Sequence, residues 1–246
     1  MKILVLSDTH SRIKDIFNSW SVEDKKKSME CDFLIHSGDI SSHGTRDQLE
    51  NELSWMNDNF KMDKIVIGGN HDFYLDTNWK PYTPVGRRRF SSKKFGTKKD
   101  INDLMNDHNI SYLNDSFIIK DGIKIWGSPI TPWFHDWAFN RNRGGDIGKH
   151  WSMIPNDVDI LITHGPPRGI LDLLSINNRR DGELPNVGCD HLLSKIQEVK
   201  PKIHIFGHIH ESRGMFESDG TFFINASSLG ENYEPAGPPI IFNYGN

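Results

Sequence analysis

Short apolar runs recur along the chain, each stopped by Gly, Asp or Pro: KILVLS (2–7), DFLIHSG (32–38), DKIVIGG (63–69), FIIKDGIKIWGS (117–128), DILITHG (159–165), KIHIFGH (202–208), TFFINAS (221–227) and PIIFNY (239–244). Their β-branched and aromatic content predicts strands. Asp121-Gly122, in the middle of the longest run, predicts a hairpin turn. Between the runs, segments 45–60, 98–109 and 189–199 space their apolar residues as helices do. Leu49, Leu53 and Met56 form one stripe, and Leu192, Leu193 and Ile196 another. Strand alternating with helix predicts an α/β layered fold. No repeat and no low-complexity linker interrupts the pattern, so residues 1–246 are expected to form one domain.

Charge adds one local feature. The net charge of −4 over 246 residues does not call for a polyanionic partner. Against that background, RRRFSSKKFGTKK (87–99) carries seven basic residues and no acidic one. It reads either as a solvated loop or as an electrostatic guide for an anionic substrate. Cys31 and Cys189 are too few for a disulfide framework and sit in or beside apolar stretches, as small hydrophobes do. A reducing compartment suits them. The opening MKILVLSDTH reaches polar residues too soon for a signal peptide or a membrane span. A soluble, cytoplasmic protein without a membrane partner is expected.

Candidate chemistry sits where the strands stop. Asp8 and His10 follow ILVLS, Asp39 follows FLIHSG, and Asn70, His71 and Asp72 follow IVIGG; His164 follows ILIT, and His208 and His210 follow IHIFG. Singly, each is an ordinary cap or turn residue. Together they place a metal-competent side chain at the end of five runs, and open α/β sheets bind ligands at the carboxyl ends of their strands. Imidazoles, carboxylates and one amide without a thiolate form a mixed N/O set, which suits Mn, Fe, Zn, Co or Ni better than Ca or Mg. The donors are too many for one ion. Two ions about 3.5–4 Å apart are the arrangement that clamps the attacking and leaving oxygens in phosphoryl chemistry, and Asp39 is assigned the bridge between them. His36 and His204 lie inside strand runs and read as core or flanking histidines.

The ordered set DTH (8–10), GD (38–39), GNHD (69–72), THG (163–165) and GHIH (207–210) resembles the five motifs of the calcineurin-like metallophosphoesterases. GSPITPWFHDWAFN, THGPPRGILD, VGCDHLL, PKIHIFGHIHE and INASS resemble its MPPED-type subgroup, and the likeness runs from Ile3 to about Ser228, weakest over 73–110.

This resemblance implies a four-layer α/β sandwich, two mixed β-sheets flanked by helices. It implies that Asp8, His10, Asp39 and His210 hold one divalent ion, and Asp39, Asn70, His164 and His208 a second, with Mn²⁺ foremost. His71 is then left to contact the phosphate or protonate the leaving group, and Asp72 to orient its ring. The implied reaction is phosphodiester hydrolysis by in-line attack of a hydroxide bridging the ions, on small nucleotide or cyclic nucleotide esters. Arg168, four residues after His164, is placed either to reach a phosphate or to lie on the surface of a Pro-Gly turn. Trp133, Phe134, Trp137 and Phe139 read as core residues or as a platform for a nucleobase. The alternatives to a small-ester hydrolase are a metal-dependent nuclease, for which the 87–99 segment speaks, and a metal-binding scaffold without turnover.

Overall fold

Apolar residues at alternate positions in each strand pack into different cores. The computed structural model describes residues 1–176 and 185–245. In chain order the strands are β1 (Lys2–Leu6), β2 (Phe33–His36), β3 (Asp63–Val66), β4 (Ile110–Tyr112), β5 (Ser116–Lys120), β6 (Ile123–Ser128), β7 (Thr131–Pro132), β8 (Asn140–Arg141), β9 (Ile160–Thr163), β10 (Ile203–Phe206), β11 (Gly214–Ser218), β12 (Thr221–Asn225) and β13 (Ile240–Asn243). One sheet has the order β13-β1-β2-β3-β4 and a second β11-β12-β10-β9-β6-β5, while β7 and β8 pair separately. Neighbours inside each sheet are parallel; β13, β11 and β5 are antiparallel edges. The predicted hairpin is β5–β6, with Asp121 at φ 50° and Gly122 at φ 77°, the left-handed pair that a two-residue turn needs.

Successive strand residues point to opposite faces. Ile3, Val5, Phe33, Ile35 and Ile65 of the first sheet therefore meet Ile125, Ile160, Ile162, Ile203 and Ile205 of the second between the sheets. Leu4, Leu6, Leu34 and Val66, with Trp126, Leu161 and Phe206, face the other way and pack with helical residues. The result is the expected helix-sheet-sheet-helix layering.

The helices are α1 (Ile13–Ser19), α2 (Val22–Met29), α3 (Arg46–Asn59), α4 (Pro84–Arg89), α5 (Lys98–Asp107), α6 (Gly145–Trp151) and α7 (Asp190–Val199). The three predicted helices are α3, α5 and α7. Thr45 caps α3 by accepting from Gln48 N–H, and Leu49, Leu53 and Met56 are fully buried. Thr97 and Asp100 form a reciprocal capping box on α5. In α7 the stripe is Leu192, Ile196 and Val199, with Leu193 only half-buried, because the helical period carries the inner face to Val199.

The basic segment is more ordered than a plain loop. Arg87–Arg89 end α4, and Lys98 and Lys99 begin α5. Lys93 Nζ donates to the His43 carbonyl. Cys31 and Cys189 are buried free thiols. Among the described residues, no helix is long and apolar enough to cross a membrane.

Candidate metal centre

Because β1, β2, β3, β9 and β10 run parallel within their sheets, the loops after them emerge at one rim. Asp8 N–H donates to Gly38 O at 2.9 Å, His10 N–H to Asp39 O at 3.0 Å, and Gly207 N–H to His164 O at 2.9 Å, so these loops brace one another. Ser7 and Ser227 form a parallel bridge from one sheet to the other. The chain bends sharply to reach this arrangement: Asp8, His10, Asp39 and His208 all have left-handed backbones, with φ of 53°, 43°, 52° and 70°. Such strain costs about 1–3 kcal/mol per residue and collects at functional sites. Two motif glycines permit the bends. Gly38 has φ +102°, and a Cβ there would meet Gly68 O at 2.5 Å; a Cβ on Gly207 would lie 2.1 Å from Asp8 Oδ2.

All seven expected ligand residues converge. Ligand atoms of Asp8, His10 and His210 lie within 4.8 Å of one another, as do those of Asp39, His164 and His208. A third group, His10, Asp39 and His71, joins the two. Asn70 Oδ1 is 2.9 Å from His164 Nε2. Asp39 Oδ2 stands 3.7 Å from His10 Nε2 and 3.4 Å from His164 Nε2, between the two sets. Asp8, Asp39, Asn70 and His164 are almost entirely buried.

The rings are fixed from behind. His164 Nδ1 is 2.9 Å from Ser37 O, His210 Nδ1 3.0 Å from Gly230 O, and His71 Nδ1 2.7 Å from Ser42 O. A carbonyl only accepts, so the neutral rings carry their proton on Nδ1 and turn an Nε2 lone pair inward. His10 Nε2 and His210 Nε2 face each other at 3.3 Å. Lone pairs meeting lone pairs and carboxylates need a cation or a proton between them.

The proton affinities express that need. Burial pushes His164 and His210 down, but Asp39 beside the first and Asp8 beside the second outweigh it and raise both to about 9. Asp8 and Asp39 stay well below the usual carboxylate range: burial pushes both up, and the surrounding imidazoles, His210 foremost for Asp8 and His164 for Asp39, outweigh it. Burial holds His10 and His208 neutral, at about 4 and about 3. Buried carboxylates, an amide oxygen and inward imidazoles are the donor set of a divalent transition metal, so the residues fit such ions.

Asp72 requires a correction. It does not orient the His71 ring; its carboxylate accepts from Ile40 N–H, Ser41 N–H, Ser41 Oγ–H and Gly69 N–H. Burial, then the charge of Asp39, raises it to about 6 against those bonds. Residues 69–72 form a turn in which Asp72 N–H donates to Gly69 O, and this aims its side chain away from the ring that precedes it. The Ser42 carbonyl orients His71 instead, and Trp137 stacks on the ring at 4.3 Å and 27°. The Arg89 guanidinium lies over Trp137, 5.1 Å from the ring centroid, so the basic segment touches the site through an aromatic intermediary.

The cavity above the cluster, about 370 Å³, is lined by His10, Asp39, Asn70, His71, Phe134, His135, Leu174, His208, Ile209, His210, Glu211, Glu231 and Tyr233. Arg168 does not line this cavity; it lies half-buried in a turn where its backbone N–H donates to Cys189 O. Phe139 and Trp137 pack in or against the core, whereas Phe134 is exposed at the cavity. His36 and His204 are fully buried and bond Thr9 Oγ1 and Thr163 Oγ1. Ser227, whose hydroxyl donates to Asp8 Oδ2 at 2.9 Å, is a supporting residue that the sequence showed only as part of INASS.

The family profile of the calcineurin-like phosphoesterases matches residues 1–212. The chain belongs to this family. Its similarity to human metallophosphoesterase domain-containing protein 1 is 36% identity over 251 residues, covering 98% of this chain and 70% of that protein. A UPF0046 protein of Caenorhabditis elegans is 32% identical over 98% of this chain and 74% of its own length. Among solved structures, the protein TT1561 of Thermus thermophilus aligns with 92% of this chain and 88% of its own at a TM-score of 0.53 and 11% identity, a likeness of fold. Metal-dependent phosphoester hydrolysis is the chemistry that the calcineurin-like family brings.

Proposed function

We propose that the protein is a dinuclear phosphodiesterase acting on small organic phosphoesters, nucleotide or cyclic nucleotide esters among them. The observation that carries this reading is the pair of three-residue ligand groups, Asp8/His10/His210 and Asp39/His164/His208, with Asp39 placed between them. Asp8, His10, Asp39 and His210 would hold one ion, and Asp39, Asn70, His164 and His208 the other. Bound there, two divalent ions would supply a strong nucleophile at neutral pH and positive charge facing the phosphoryl oxygens.

The chain's own contribution is positional. Ser37 and Gly230 carbonyls lock two ligand rings, and Ser227 and the His208 N–H hold Asp8 Oδ2, each at 2.9 Å. His71, its Nδ1–H on the Ser42 carbonyl, turns Nε2 to the cavity, and as an imidazolium, with a second proton on Nε2, it would donate that proton to the departing oxygen. A small ester is favoured over nucleic acid because no Lys or Arg is among the described residues lining the cavity, whereas a polyanion is held by several basic contacts. The volume suits a ligand of small-molecule size.

The test is elemental analysis together with turnover of a panel of phosphomonoesters, linear diesters, and 2′,3′- and 3′,5′-cyclic nucleotides with Mn²⁺. Two ions per chain, diester turnover abolished by a chelator and restored by Mn²⁺ are expected. Full activity in metal-stripped protein would end the account, and ion uptake with no turnover on any ester would point to the scaffold reading.

A further inference from the structure

Tyr233 belongs to none of the motifs, yet it stands in the wall of the site. Its ring centroid is 5.0 Å from that of His10 and 5.1 Å from that of His210, while the residue remains 45% exposed toward the cavity that it lines. Its backbone is left-handed, φ 60°, a conformation that suits Gly or Asn and disfavours a bulky aromatic. The turn is nonetheless fixed. Tyr233 N–H donates to Gly230 O at 2.9 Å, Gly230 N–H to Glu234 O at 2.7 Å, and the Arg12 guanidinium donates to the Tyr233 carbonyl. The same Gly230 carbonyl holds the His210 ring. A strained aromatic, pinned from two sides and left half-open above two ligand histidines, does more for a bound molecule than for the fold.

The rest of the wall indicates what it would take. Phe134, 46% exposed, stands at the other end of the cluster with its ring 6.2 Å from His208. Apart from the cluster itself, the described lining offers Phe134, Leu174, Ile209 and Tyr233 beside His135, Glu211 and Glu231, and no Lys or Arg, to whatever the phosphoryl group carries. We propose that Tyr233 is a specificity-determining residue, its ring taking the face of a flat unsaturated group on the phosphoester at the His10–His210 end of the cavity, and that Arg12 is the residue that positions it. This rests on the hydrolase reading above.

Two ligands that differ only in the organic group provide the test: phenylphosphonate and methylphosphonate, titrated by calorimetry into the manganese-loaded protein, with metal content checked in every variant. Tyr233→Asn removes the ring while accepting the left-handed backbone, so the turn survives it. It should weaken phenylphosphonate about three- to tenfold, the range of an aromatic pair, and leave methylphosphonate within about twofold. Tyr233→Phe should keep the wild-type preference, and Arg12→Ala should lose part of it. A loss shared equally by both ligands, or no loss for either, would overturn the proposal in favour of a role confined to supporting His210. Failure of the wild type to hydrolyse any ester would count against the hydrolase reading, and the ligand pair would still decide what Tyr233 does.

Discussion

Replacing His71 with Ala would isolate proton donation from metal chemistry, because the substitution is confined to the ring. The backbone N–H of residue 71 would still donate to Asp39 Oδ1, now 2.7 Å away, so the carboxylate between the two ligand sets keeps that partner. What disappears is an imidazole anchored at 2.7 Å on the Ser42 carbonyl and stacked at 4.3 Å on Trp137, with one nitrogen left for the cavity. A positioned proton donor contributes about 10²–10⁴-fold, and most when the leaving group is basic. An alkyl or ribose diester should therefore slow by roughly that factor, whereas a nitrophenyl diester, whose leaving group departs unaided, should slow only a few-fold.

The assay is kcat/KM for both esters in wild type and His71→Ala, with metal content measured in each. Metal content is essential because a His71 nitrogen lies within 4.8 Å of ligand atoms of His10 and Asp39. Equal losses on both esters would remove the proton-donor role, and a drop in bound metal would make His71 a ligand. Asp72→Asn should behave differently, slowing both esters alike, since that carboxylate holds Ile40, Ser41 and Gly69 in place and not the ring.

At saturating Mn²⁺, Asp39→Ala should leave less activity than Asn70→Ala, because the carboxylate faces both ligand sets while the amide faces one; equal residual rates would argue against the bridge. Gly207→Ala should bind less metal while its circular dichroism stays native, since the added methyl would lie 2.1 Å from both Asp8 Oδ2 and Ser7 Oγ; full metal content would mean that this loop can yield. Glu52, 8% exposed, is raised from 4.5 to about 7, by burial first, against the N–H of Ile13 and with Asp15 adding to it. Its contribution to stability is thus fully present below pH 4.5 and lost as pH rises through 7. In urea unfolding, Glu52→Gln should match wild type near pH 4 and exceed it by up to roughly 3 kcal/mol at pH 8. Parallel stability curves would refute that.

Much of the inner architecture was legible because parallel strands buried on both faces read as continuous apolar runs, and the site lies where those runs stop. The elements that were not legible lack such a signature. β4 has three residues, β11 exposes Met215, Phe216 and Glu217, and α2 buries only Ser28, so none shows a periodic apolar face. The seven residues proposed as ligands stood out in the sequence because their side chains carry the chemistry, and the structure brings them together. The groups that aim them could not: Ser37, Ser42 and Gly230 act through carbonyls, which every residue possesses. Asp72 misled. The resemblance implied that it orients the His71 ring, whereas its carboxylate bonds the N–H groups of Ile40, Ser41 and Gly69.

The antiparallel pairing of β13 with β1 sets Lys2 opposite Asn243, and the Met1 ammonium lies 3.1 Å from the Tyr244 carbonyl. The start and finish of the described chain therefore meet at the amino end of β1, while the cavity opens beyond its carboxyl end, about 17 Å away at 3.3 Å per strand residue. Anything joined to either terminus leaves from the side that faces away from the mouth. A tether to a solid support, a fluorescent reporter or an appended module would leave substrate entry unobstructed. Two such attachments, one per terminus, would crowd each other before they crowded the site, so a donor and acceptor dye placed there would report separation of β13 from β1 independently of turnover.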